Sequence, residues 1–311
     1  MNFINFTNNI KNNKSIAKFF NWFKKIVIPG FDGLPLYEVA SFFFKGLWQG
    51  AISSRASALT FSFFLALFPA IIFFFTLIPY IPIEGFQDTL LSLLQNILPK
   101  DAYKATLSTL EDIIKRQHGS LLSLGFIAAL FFSTSGISGI MSAFNESIHV
   151  AETRSFFKQR TVAIFLVLIL SVLIIVAITL IIMGTATLEY LLKNGFMEKD
   201  ITYYALLFGK WIVVISLFFF IISFLYFLAP AKHKRFRFIS AGSTLATLLF
   251  VLTSMGFNYY ISNFSQYNKL YGSIGALIII LMWIYINAFV LLIGFELNAS
   301  IKNAKKGIKN L

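Results

Sequence analysis

Charges along the chain are bunched, and between the bunches lie six uncharged apolar windows: residues 56–83, 117–145, 161–188, 211–231, 238–268 and 270–295. Each is at least 21 residues long. A helix needs about 20 apolar residues to cross a hydrocarbon core about 30 Å thick. In lipid the backbone satisfies its polar groups only within helices or closed barrels. Barrel strands would alternate apolar and polar positions, which these windows do not. The pattern predicts six transmembrane helices, near 56–80, 121–144, 161–186, 205–229, 238–261 and 273–297.

The flanks carry helical periodicity of a different kind. Ile16, Phe19, Phe20, Phe23 and Val27 repeat at helical spacing among Lys14, Lys18, Lys24 and Lys25. This fits an interfacial helix on an anionic leaflet as well as it fits a loose basic tail. Pro35 to Gly50, with Phe42, Phe43, Phe44, Leu47 and Trp48, is too short to span before Arg55 and is expected to run along the interface into the first span. Between the first two spans, residues 84–117 hold two amphipathic repeats, Leu90/Leu94/Ile97/Leu98 and Tyr103/Leu107/Leu110/Ile114, with Asp88 and Asp101 where N-caps would stand. The predicted fold is an all-α integral membrane protein: six transmembrane helices, interfacial helices in the N-terminal segment and an amphipathic helical outer loop. Residues 1–54 form a basic tail with interfacial helices, 55–298 the transmembrane domain and 299–311 a second basic tail. The first 30 residues lack the apolar core of a secretory signal, and no internal repeat stands out.

Composition agrees. Of the 311 residues, 58% are hydrophobic and 13% charged, with a mean hydropathy of +0.78; soluble domains carry about 25% charged residues. The net charge of +13 would suit a nucleic-acid binder until the charges are sorted by predicted side. One side holds 18 of the 26 Lys and Arg and 5 of the 13 Asp and Glu, so the entire excess lies there. Lys232, Lys234, Arg235 and Arg237 share one short loop on that side. The positive-inside rule makes it cytosolic, with both termini. The expected partners are the bilayer and anionic lipids at its cytosolic face; nucleic acid is not expected, and a homo-oligomer is compatible with the sequence.

Chemistry is sparse. Cysteine is absent, which removes disulfides and thiolate nucleophiles. His118, His149 and His233 form no metal-ligand spacing, and Glu146 with His149 alone is too few ligands. Ser135-Gly136-Ile137-Ser138-Gly139 has the outline of a hydrolase elbow but no His/Asp partner; Ser135, Gly139 and Ala143 read more simply as a small-residue packing stripe. No cofactor and no catalytic residue is expected.

Polar groups at membrane depth are costly and usually face the protein interior. Pro69 removes a backbone donor within the first span, giving either a structural kink or a hinge, with Thr60 and Ser62 near enough to answer freed carbonyls. Arg55 opens the first span and Glu296 closes the sixth; they either pair at the inner mouth, joined by Asn145 and Glu146, or snorkel independently. Glu189 and Lys210 suggest an ion pair at the outer hairpin. Asn258, Tyr259, Tyr260, Tyr267 and Tyr271, beside Gly272, suit an interfacial belt. Asn287, deep in the sixth span, is expected to point inward.

Several short motifs occur in a specific order. They are Arg55-Ala56-Ser57-Ala58-Leu59-Thr60-Phe61 through Leu67-Phe68-Pro69, Ser138 to Asn145, Phe227-Leu228-Ala229-Pro230, Tyr271-Gly272-Ser273-Ile274-Gly275-Ala276, the helix carrying Trp283 and Tyr285, and Gly294-Phe295-Glu296-Leu297. Together, over roughly residues 40–300, they resemble the YihY/BrkB family of membrane proteins. The resemblance implies a six-helix bacterial inner-membrane protein, from a family once labelled ribonuclease BN, with suggestions leaning toward transport or export. It brings no catalytic residues. Lys269 ahead of the Tyr-Gly motif is more charged than the family pattern.

Three functions follow as expectations. The first is a transporter or exporter of an amphiphilic or anionic substrate, drawn from the Pro69 helix, inward polar residues and a basic inner mouth. The second is a non-transporting scaffold or envelope-integrity factor. The third, an RNA-processing enzyme, lacks any supporting residue cluster. A polar cavity reaching Asn287 and Glu296 would favour the first, and a dry packed interior the second.

Overall fold

The computed structural model describes residues 26–80, 87–88, 90–91, 100–148, 152–196, 198–231, 237–263 and 273–309. The expected helix over 14–27 lies almost wholly outside them, as do the first repeat of the outer loop in large part, Lys232 to Arg235, and the segment with Tyr267, Tyr271 and Gly272. Eight α-helices are described: α1 (Leu36–Gln49), α2 (Ile52–Leu77, continued by a 3-10 turn at Ile78–Tyr80), α3 (Lys100–Lys115), α4 (Gly119–Ser147), α5 (Phe156–Lys193), α6 (Ile201–Leu228), α7 (Ala241–Asn263) and α8 (Ser273–Lys309). Six of them, α2 and α4 to α8, are long and apolar enough to cross a membrane. The described residues hold no strand, only an isolated bridge between Val27 and Pro35. Two compact units are present: residues 1–59 with 137–311, and residues 60–136.

In the larger unit, α5 packs on α6, α6 on α7, α7 on α8, and α8 on α1. Much apolar surface faces outward, as Ile182, Phe208 and Met255 do, which suits a hydrocarbon solvent. The interior is organised by aromatics: Phe144 of α4 stacks on Phe295 of α8 at 3.9 Å between centroids, and Tyr226 of α6 meets both edge-on. The Tyr226 hydroxyl donates to the Leu291 carbonyl at 2.6 Å, so its polar end is satisfied in a fully buried position. Close approach of α7 and α8 requires glycine. A Cβ on Gly294 would collide with the Tyr226 hydroxyl, Ala246 and the Gly242 carbonyl, and one on Gly242 would strike the Gly294 carbonyl and Asn298. Asn298 uses that proximity, accepting from the Gly242 amide at 2.8 Å and donating to Ser240 at 2.9 Å.

The N-terminal part of this unit clasps the end of α8. Phe31, Leu34 and Val39 pack with Leu297, Ile301 and Ala304, on the part of α8 that continues past the apolar window; the helix itself runs to Lys309. The preceding loop turns through the left-handed region at Gly30, Asp32 and Gly33. Pro35 starts α1, fixing an extended backbone where no amide donor is needed. Helix α1 buries Val39 but leaves Trp48 92% and Phe44 67% exposed, as an interfacial helix does. At the opposite end, Asp200 caps α6 by accepting from Thr202 and Tyr203 amides at 3.0 and 3.1 Å. The Tyr203 amide is the chief reason its carboxyl titrates below its ordinary value.

The smaller unit pairs residues 60–77 of α2 with 119–136 of α4. Gly125 leaves room for the Phe73 backbone and Gly136 for the Phe63 ring. Helix α2 passes through Pro69 without an unwound turn. Thr76 and Thr134 return their hydroxyls to carbonyls of their own helices. Helix α3 lies against the 3-10 turn and buries Ile114. It begins at Lys100, so Asp101 falls in its first turn rather than at the cap. Asp88 pairs with Lys115 at 2.8 Å, and His118 and Arg116 both approach Asp112, at 3.2 Å each.

Candidate functional site: a buried Arg–Glu pair at a polar cavity

Ala51, at φ +46°, turns the chain from α1 into α2 and sets Arg55 on the second turn of that helix. The Arg55 guanidinium is taken up by α4: Nη1 donates to the Ala143 carbonyl at 2.8 Å and to the Ser147 hydroxyl at 2.7 Å. Nη2 lies 3.8 Å from Glu296 Oε2, with side-chain exposures of 8% and 6%. This is an ion pair at its outer limit rather than a bidentate fork. Arg55 Nε is buried with no acceptor among the described residues. A buried cation is costly unless compensated, and here two elements, α4 and α8, supply the compensation. A third, α1, passes over the pair on two small residues: a Cβ at Gly46 would collide with the Glu296 carboxylate, and one at Gly50 would come 2.9 Å from Arg55 Nη2.

A cavity of about 480 Å³ opens on this pair. Besides Arg55, Glu296 and the two glycines, Lys45, Glu146 and Asn303 line it. Its formal charges balance, Lys45 and Arg55 against Glu146 and Glu296. Arg55 and Glu296 are therefore paired. Glu146 is exposed on the cavity wall, and Asn145 goes elsewhere. The reason is helical geometry: Ala143 and Ser147 are four apart and share the face turned to Arg55, whereas Asn145 projects well round the helix from them.

Asn145 anchors a second network. It accepts from the Ala231 amide at 2.8 Å and donates to Glu152 at 2.8 Å. Glu152 holds Arg154 through both oxygens, each at 2.8 Å. Arg154 then donates to the Ala229 carbonyl at 2.7 Å, so a cation caps the carbonyl end of α6 just before Pro230 closes it. The Arg154 hydrogen bonds, opposed in part by burial, hold the Glu152 carboxyl below its ordinary value. This network gives Phe227-Leu228-Ala229-Pro230 a structural role and ties the α4–α5 connection to the end of α6.

The remaining sites are local. Asn287 donates back to the Trp283 carbonyl at 2.7 Å, and its buried Oδ1 has no donor among the described residues. The cavity reaches Glu296 and does not reach Asn287. Tyr285 bonds Ser53 across 2.9 Å. Lys210 does not pair with Glu189: its Nζ donates to Thr185 at 2.8 Å, and its stem lies across Gly184, one turn short of the glutamate. Gly139 packs on Leu59, so that position of the small-residue stripe is a packing contact. Among the described residues no group of three or more His, Cys, Asp or Glu could hold a metal ion. The sequence reading missed Ser147, Arg154, Asn298 and Gly46/Gly50; the Gly-x-x-x-Gly spacing of the last pair was a usable signal.

Six apolar helices, an outward apolar surface and a charged cluster buried near the span ends define a polytopic α-helical membrane protein. Residues 43–310 match the family described as "Virulence factor BrkB", and the chain belongs to that family. It is 31% identical over 253 residues to YfkH of Bacillus subtilis (strain 168), named a ribonuclease-like protein, covering 81% of this chain and 91% of that one. It is 39% identical over 77 residues, a quarter of each chain, to a UPF0761 membrane protein of Vibrio atlanticus (strain LGP32). A UPF0761 membrane protein of Psychrobacter sp. (strain PRwf-1) is 23% identical over 276 residues, 85% of this chain and 49% of that one. No solved structure matches the chain.

Proposed function

We propose that the protein is a transporter or exporter of an amphiphilic substrate in the bacterial inner membrane, with both termini cytosolic. The observation that carries this reading is the cavity of about 480 Å³ on the buried Arg55–Glu296 pair. Two cations and two carboxylates line it, so a headgroup bearing both charges is a better match than a simple anion. Next to Glu296 in sequence, Phe295 is fully buried and stacks on Phe144, which supplies an apolar neighbour for the charged cavity. The bias of Lys and Arg to the end that carries Arg55 and Glu296 supports the orientation.

The test is protein-dependent movement of headgroup-labelled amphiphiles, zwitterionic and anionic, across liposomes containing the purified chain. Movement that falls in Glu296→Gln supports the proposal; no protein-dependent movement of any of them overturns it. The second reading is a non-transporting scaffold, favoured by the cavity's failure to reach Asn287. It gains if liposomes show no movement.

A further inference from the structure

A second cavity, of about 300 Å³, lies at the same end of the larger unit, between the loop before α1, the start of α7 and the end of α8. Its charges do not balance. Arg237, Lys302 and Lys305 line it with a single carboxylate, Asp32. Asp32 is shared: Oδ1 takes Arg237 at 3.0 Å and Oδ2 takes Lys305 at 2.9 Å. One carboxylate thus serves two cations and leaves the cavity with a formal excess of two positive charges. The backbone adds to the field. Ala241, the first residue of α7, lines the cavity, and helix N-termini favour anions. The amides of Gly242 and Ser243 are already answered by Asn298 and Ser240.

The surroundings indicate what kind of anion fits. Arg237 directly precedes the apolar window of one candidate span, and Lys302 and Lys305 follow that of another, so the cavity is built from residues just outside two apolar windows. Ile239 is on its wall, 67% exposed, and Ile28, two residues from Gly30, is exposed as well. A soluble anion has no use for exposed isoleucine, whereas a phospholipid brings a phosphate to the cations and its glycerol and chains to the apolar rim.

We propose that this cavity binds the phosphate headgroup of an anionic membrane phospholipid, with Arg237, Lys302 and Lys305 as its cations and Asp32 as an internal competitor that the phosphate partly replaces. The site is separate from the Arg55–Glu296 cavity and does not depend on transport.

Native mass spectrometry of the full chain, purified in detergent with equal phosphatidylglycerol and phosphatidylcholine, tests it. Retention of phosphatidylglycerol over phosphatidylcholine is expected, falling about tenfold in Arg237→Gln/Lys305→Gln. Asp32→Asn should raise retention, because the competing carboxylate is gone; asparagine tolerates the left-handed backbone there, and a gain cannot come from misfolding. Equal retention of the two lipids, unchanged retention in the double variant, or no gain in Asp32→Asn overturns the proposal. Displacement of the lipid by equimolar glycerol phosphate overturns it too, since the site would then be one for soluble anions.

Discussion

Arg55 and Glu296, 241 positions apart in sequence, meet at 3.8 Å with each side chain less than a tenth exposed. Removing one partner of such a pair strands the other. Arg55→Met leaves the Glu296 carboxylate buried beside Gly46, and the expected loss is about 3 kcal/mol. Arg55→Met/Glu296→Met should recover much of it, because neither charge then needs compensation. Thermal unfolding of the detergent-solubilised variants measures this. Additive losses in the double variant would mean that the two charges are held independently by water and by α4.

The contact between α7 and α8 rests on glycine. Gly294→Ala drives a methyl into the Gly242 carbonyl, Ala246 and the Tyr226 hydroxyl, and overpacking of this kind costs about 1–3 kcal/mol. Gly209 is the control: nothing lies within 4 Å of a Cβ there, so Gly209→Ala should be neutral or stabilise by at most about 1 kcal/mol. Equal melting temperatures for the two variants would show that α7 and α8 are not packed as described.

These two cases show what the sequence made legible. The spans were legible because a hydrocarbon solvent demands long uncharged windows, and Arg55 and Glu296 because charge at a span end is conspicuous. The stack of Phe144 on Phe295 was not, since 38 phenylalanines make any one of them unremarkable. One of the two readings put Asn145 and Glu146 together with the Arg55–Glu296 pair, yet adjacent residues on a helix face different neighbours, one Ala231 and Glu152, the other the cavity. Lys210 looked like a partner for Glu189 because opposite charges suggest pairing; a hydroxyl one turn nearer, on Thr185, took it instead. The part of α8 beyond the apolar window packs, as far as Ala304, in a cluster with Phe31 and Leu34, a contact between distant parts of the chain that periodicity does not register.

The Asn145–Glu152–Arg154 network makes stability depend on acid. Because the folded Glu152 carboxyl titrates below its ordinary value of 4.5, the folded state binds fewer protons than the unfolded chain near that value. The stabilisation is fully present above the unfolded value and is lost as the pH falls through the lower folded one. Glu152→Gln should therefore be less stable than the parent at neutral pH, with the gap narrowing as the pH falls below 4.5. Melting temperatures of both proteins between neutral and acid pH give the comparison; a gap that stays constant would mean that Arg154 does not favour the ionised form.

Orientation can be read directly because the chain has no cysteine, so each introduced thiol is unique. Lys199, in the exposed connection between α5 and α6, and Lys158, in the first turn of α5, stand at opposite ends of that helix. At 1.5 Å per residue the 38 residues of α5 extend well beyond a hydrocarbon core of about 30 Å, so the two positions fall on opposite sides of the membrane. With the basic end cytosolic, a membrane-impermeant maleimide should label Lys199→Cys in intact cells stripped of outer barriers and reach Lys158→Cys only after permeabilisation. The reverse pattern would invert the topology and place the Arg55–Glu296 cavity on the outer face. Labelling of both thiols without permeabilisation would remove α5 from the membrane altogether.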